Sequence, residues 1–217
     1  ISVTKKRYKD ERSKILQFIK ESWAVYPINR IMPHHINKWK DVALKTLSGG
    51  SVNRKLDVIS TMFTTFKREW GYPVDNPVLQ IRRPKKAEPR DRRLSDAEIK
   101  KLLFGNRTSP VMKSIIQISL ETGMRLSEIL RADHANLEGH TLTIPITKTK
   151  PRVIPLTNKA LKLLKECELP FKISKWQVSK QFRKLCKWYG IKGAVFHDCR
   201  RNALTDFMRV HKLNVPE

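Results

Sequence analysis

The chain has 217 residues, with 45 Lys and Arg against 20 Asp and Glu, and so carries a formal charge of +25. Hydrophobic residues make up 40% of it, enough to bury a core in one large domain or two small ones. So basic a chain repels itself unless it meets a polyanion, which puts nucleic acid first among partners and an anionic membrane surface second. No uncharged apolar run reaches the ~20 residues of a spanning helix. The first residues are mostly charged, which excludes a visible signal peptide.

The first elements read as helices. Ile15, Leu16, Phe18 and Ile19 form a short apolar face after a basic start. Pro27 and Pro33 punctuate a connection. Ile36, Trp39, Val42, Ala43 and Leu47 then follow helical spacing as far as Gly49-Gly50. Ser51 reads as the N-cap of a longer helix on which Leu56, Ile59, Met62, Phe63, Phe66 and Trp70 recur near a period of 3.6, with Gly71 at its end. Residues 1–72 are expected to form a small helical domain.

Residues 73–92 read as a basic linker. Pro73, Pro77, Pro84 and Pro89 break regular structure there. Seven cations cluster at its end and just beyond: Arg82, Arg83, Lys85, Lys86, Arg90, Arg92 and Arg93. Such runs are commonly a solvated hinge; the charge of the whole chain favours a strap along a phosphate backbone.

A second domain, 93–217, begins at LSDAEIKKLL, where Leu94, Ser95 and Glu98 have the spacing of a hydrophobic staple and a capping box. Val111, Ile115, Ile118 and Ser119 suggest a buried helix ending near Gly123. Leu142, Ile144 and Ile146, then Val153 and Ile154, predict a β-hairpin with a lysine-rich tip. Helices resume through Leu161 to Leu164 and around Val178, Phe182, Leu185 and Trp188. The expected class is mainly α with a small antiparallel β-sheet.

Three basic pieces carry candidate chemistry: Arg125 in TGMRLSE, Lys148 in KTKPRVIPL, and His197 with Arg200 in HDCRR. Singly each has an ordinary reading: a surface arginine, a solubilising lysine on a turn, a core histidine beside a salt-bridged neighbour. A cation near a helix start is nevertheless poorly placed unless an anion is also there. His197 and Arg200, at i and i+3, share a helix face. Phe196, Cys199, Ala203, Phe207 and Val210 form the apolar stripe beside it.

Taken together, in this order and spacing, the three pieces resemble the tyrosine recombinase, or phage integrase, family. TGMRLSE resembles its first arginine box, KTKPRVIPL its hairpin lysine and HDCRR its H-x-x-R box. The resemblance implies a helical core-binding domain followed by an α+β catalytic domain, closing as a C-shaped clamp on duplex DNA. It implies transesterification through a 3′-phosphotyrosyl link, with no metal and no cofactor. Arg125 and Arg200 would clamp the non-bridging phosphate oxygens, and Lys148 would protonate the leaving 5′-oxygen. His197 would donate to the phosphate or help remove the tyrosine proton, and Glu128 would orient Arg125. Full-length members are expected to act as tetramers on DNA in the cytoplasm of a bacterial or phage-infected cell, with the fragment allowed to be a monomer.

Cys199 stands where leucine is common in that family, and Arg201 where histidine is frequent. Tyr8, Tyr26, Tyr72 and Tyr189 all precede Arg200, so no tyrosine stands in the nucleophile's place and the chain is expected to be a truncated, inactive piece. Ile1 in place of a methionine suggests a fragment or a processed product. Cys167, Cys186 and Cys199, odd in number and scattered, point to a reducing compartment and free thiols. The histidines and cysteines form no zinc-like frame. The alternative is a catalytically inactive, sequence-specific or architectural DNA-binding protein. An RNA-binding protein is a weaker rival, since no RRM, KH or OB signature is present.

Overall fold

The computed structural model describes residues 8–145 and 151–210. They are mainly helical with one three-stranded antiparallel sheet, the class the sequence predicts. The chain divides into two units, Ile1–Pro89 and Arg90–Glu217, each with its own buried cluster.

The first unit is built on α1 (Tyr8–Phe18), α2 (Pro33–Leu44) and α3 (Gly49–Arg68). Proline at the first position of α2 starts that helix without sacrificing a hydrogen bond, because its missing N–H has no intrahelical acceptor there. Ile36, Trp39, Leu56, Ile59 and Phe63 are buried together, each side chain contributing about 1.5–3 kcal/mol by leaving water. Helix α3 starts earlier than the sequence suggests: Ser48, not Ser51, is the N-cap, accepting the Ser51 N–H at 3.3 Å. Both glycines thus lie inside the first turn. A Cβ at Gly49 would collide with the Lys85 carbonyl, so the chain at 84–85 can cross this helix end only over a glycine.

The stretch 73–92 is therefore not uniformly a solvated connector. Val74, Pro77 and Val78 are buried in the first unit, and a 3-10 turn spans Pro77–Gln80. Lys40 donates to the Arg82 carbonyl at 3.2 Å and Asn53 to that of Pro84 at 2.8 Å. Proline broke helix and strand here as expected, but apolar residues between the prolines still found a core.

The second unit runs α4 (Asp96–Phe104), α5 (Pro110–Thr122), α6 (Leu126–Ile129), β1 (Leu137–Glu138), β2 (Thr141–Ile144), β3 (Arg152–Pro155), α7 (Asn158–Glu166), α8 (Lys175–Trp188) and α9 (His197–Val210). The capping box of α4 forms as its spacing predicts: Glu98 N–H donates to Ser95 Oγ and Ser95 N–H to Glu98 Oε2. Strand order is β1-β2-β3, with Leu142 opposite Ile154 and Ile144 opposite Arg152. The two-residue β1 adds an edge that sequence alternation was too short to show. Helix α5, buried along Met112, Ile115, Ile116 and Ile118, forms the centre on which α4, α7, α8 and α9 pack. Cys186 and Cys199 are free and buried in this core, and burial pushes the Cys186 thiol up to about 11.

Candidate active site

Helix α5 ends at Gly123, whose φ of +59° is the left-handed conformation that reverses the chain at little cost only for glycine. Met124 is then fully buried, and Arg125 becomes the residue before the short α6. Leu204 of α9 packs on the Gly123 turn, and the Arg200 guanidinium donates to the Gly123 carbonyl. One turn of backbone thus brings the first arginine box and the H-x-x-R box together.

Arg125, His197 and Arg200 line a single cavity of about 500 Å³. Lys175, Ser179 and Arg183 line it from α8. These three recur at i, i+4 and i+8, so one helical stripe faces the cavity. Sequence reasoning assigned α8 a core face and passed over this one, although the spacing was there to see.

Glu128 is the buried acid of the site, its side chain only 3% exposed. It accepts the Arg125 backbone N–H at 2.9 Å, the Arg125 guanidinium at 3.0 Å and the Arg152 guanidinium at 2.6 Å. Burial alone would raise its pKa; these three donors and the nearby charges outweigh that and hold the carboxyl below its usual range. Arg152 was not singled out in the sequence. A detectable signal existed: along β3 it alternates with Val153 and shares a face with the buried Ile154.

The cations act on one another. Desolvation, then Arg125 and Arg152, lower the pKa of Arg200, while Glu128 opposes them. His197 is exposed at the cavity. Partial loss of water, then Arg200, Arg201 and Arg125, lower its pKa against the pull of Asp198, so the neutral imidazole is favoured. Asp198 is buried and receives the Val195 N–H at 2.8 Å, Arg90 at 3.2 Å and Arg201 at 3.5 Å. It fixes the first turn of α9 and hence the start of the His197–Arg200 face.

The remaining candidates divide. Lys148 lies outside the described residues, between β2 and β3, whose last described pair is Ile144 and Arg152. Among the cations at 82–93, Arg83 is paired with Asp57 at 2.6 Å, Arg90 with Asp198, and Arg92 with Glu98 at 2.5 Å. Arg82, Lys85 and Lys86 are exposed, and their side chains make no ion pair among the described residues; Arg93 is half-buried. Tyr189 does not line the cavity, and its hydroxyl accepts the Arg107 N–H at 3.0 Å. Among the described residues no three His, Cys, Asp or Glu side chains gather as a metal site would require.

Residues 92–169, which carry the Arg125 box and the hairpin, match the profile of the phage integrase family. Over 95% of its length the chain is 28% identical to a putative integrase/recombinase of Haemophilus influenzae, of which it spans 63%. Over its whole length it is 30% identical to the shufflon-specific DNA recombinase of Escherichia coli, of which it spans 61%. The chain is similar to phage integrase family members over nearly all of its length. Its fold agrees: a lambda integrase (75–356) dimer bound to a COC' core site superposes with a TM-score of 0.81 at 18% identity, covering 100% of this chain and 90% of that one. The Tn1549 transposon integrase in complex with circular intermediate DNA gives 0.76 at 15% identity, covering 96% of this chain and 83% of that one. The chain thus spans less than two thirds of the first two relatives named, and shares the fold of integrases solved on DNA. No helix among its described residues is long and apolar enough to cross a membrane.

Proposed function

We propose that the chain is the DNA-binding and phosphate-activating part of a site-specific tyrosine recombinase. The observation that carries the reading is that Arg125, Arg200 and His197, from separated segments, face one cavity. A planar guanidinium can hold two phosphate oxygens at once, and fixed charge aimed at developing charge usually supplies the largest share of a rate enhancement.

In this reading duplex DNA presents a scissile phosphodiester to the cavity and both units engage the duplex. Arg125 and Arg200 bind the non-bridging oxygens. A tyrosine phenolate oxygen forms the new bond to phosphorus as the bond to the 5′-oxygen breaks, and Lys148 delivers the proton that the departing oxygen needs. Neutral His197 can accept the tyrosine proton or, through its N–H, donate to the phosphate. None of the tyrosines of this chain is assigned as the nucleophile, and assembly into a tetramer on DNA belongs to the full-length protein. Lys175 and Arg183 flank the cavity and suit the neighbouring phosphates of the duplex.

The test uses a nicked suicide duplex. The chain should bind it in a salt-sensitive way and form no covalent adduct. A longer form carrying a tyrosine after α9 should form a 3′-phosphotyrosyl adduct, and Arg125→Ala should abolish it. An adduct formed by the chain itself would show that one of its own tyrosines attacks. An adduct that survives Arg125→Ala in the longer form would leave only a DNA-binding protein.

A further inference from the structure

We infer that Arg152 is a positioning residue that keeps the phosphate site cationic by sharing the buried Glu128 carboxylate with Arg125. The inference rests on the proposed function of the cavity and goes beyond the five residues of the family resemblance.

Glu128 is buried and hydrogen-bonded to Arg125 through both its carboxylate oxygens. If these two were alone, their charges would sum to zero and Arg125 would be spent on its neighbour. With Arg200 these three groups would sum to only +1. Arg152 places its Nη2 2.6 Å from Glu128 Oε2, the oxygen that already receives the Arg125 N–H. Arg125 then needs only Nη1 for Oε1, and its other guanidinium N–H groups make no hydrogen bond among the described residues. The four groups now sum to +2, from three arginines and one glutamate. A phosphodiester carries one negative charge, and its pentacoordinate transition state carries two on the non-bridging oxygens. A cluster of +2 there favours the transition state over the ground state more than one of +1 does, which is what catalysis requires.

The consequence is measurable without a nucleophile. Methyl phosphate is a dianion at pH 8, because its second pKa is near ~6, whereas dimethyl phosphate is a monoanion. Both can be titrated into the chain at low salt and followed through arginine Nε–H and His197 resonances. The wild type is expected to prefer methyl phosphate. Arg152→Gln should cut that preference on the order of tenfold, since one charge a few ångströms away is removed. Arg152→Lys, which keeps the charge, should retain most of it. Arg152→Gln with Glu128→Gln returns the sum to +2 and should restore the preference, an outcome that a merely structural Arg152 would not produce. Glu128→Gln alone should raise the preference, which keeps the inference testable if Arg152→Gln does not fold. Lys162→Gln, on an exposed face of α7, controls for net charge and should change nothing.

A preference insensitive to Arg152→Gln, or one the double variant fails to restore, overturns the inference and leaves the clamp standing. If neither anion binds the wild type at the cavity, the clamp itself falls, and Arg152 with it.

Discussion

Asn202 brackets the backbone of Leu94, donating to its carbonyl at 2.7 Å and accepting its N–H at 3.0 Å, both out of reach of solvent. The residue thus ties α9, with His197 and Arg200 in its first turn, to the chain just before α4. Asn202→Ala would leave a buried N–H and a buried C=O unpaired, at about 1–3 kcal/mol each. Urea unfolding should show a lower midpoint with unchanged slope, and an unchanged midpoint would mean the bracket is dispensable.

Arg125 and Arg200 are expected to act mainly on the chemical step. In a form of the protein that carries the tyrosine, Arg125→Ala or Arg200→Ala should lower single-turnover cleavage by a factor of ~100 or more while shifting duplex affinity less than tenfold. Affinity and cleavage falling together would indicate ground-state binding instead.

His197 should titrate below the usual histidine range, since lost water and three arginines disfavour its cation. The folded state then binds fewer protons at this ring than the unfolded chain does. Stability should therefore fall as pH drops from the unfolded value near 6.5 toward the lower folded one. His197→Gln should flatten that slope. Duplex DNA, by placing an anion beside the ring, should move its NMR titration midpoint upward; a midpoint above 6.5 without DNA contradicts the assignment.

The cations at 82–93 should not behave alike. Arg82, Lys85 and Lys86 are exposed without ion pairs among the described residues, so each neutralised contact should flatten the slope of log K against log salt by about 0.9. Arg90→Ala should act differently, because it removes a partner of the buried Asp198. It should destabilise the second unit in thermal melts and barely change the salt slope. Equal salt effects from both groups would restore the picture of one uniform strap.

Periodicity and punctuation read the local structure well wherever one residue's chemistry dominates. The Ser95–Glu98 box, the glycine at 123 and the apolar stripe on α5 each follow from side-chain chemistry within one or two turns. Ser51 misled because the true cap, Ser48, is followed by two glycines that look like a helix end. Gly49 is needed there because the Lys85 carbonyl, far along the chain, crosses it; Gly50 faces open space. Trp70 continued the helical spacing but lies past Arg68 and is 56% exposed.

From residue order alone came the mainly helical class with its small sheet, the expectation of a polyanion partner and the three basic boxes. These depend on composition, spacing and side-chain chemistry, which are properties of short segments. Tertiary structure decided which of those groups meet: Arg200 on the Gly123 turn, Arg152 on Glu128, Arg90 on Asp198, and the α8 stripe along the cavity. Spacing tells which face of an element a residue occupies, but what lies opposite that face is set by how the elements pack around α5.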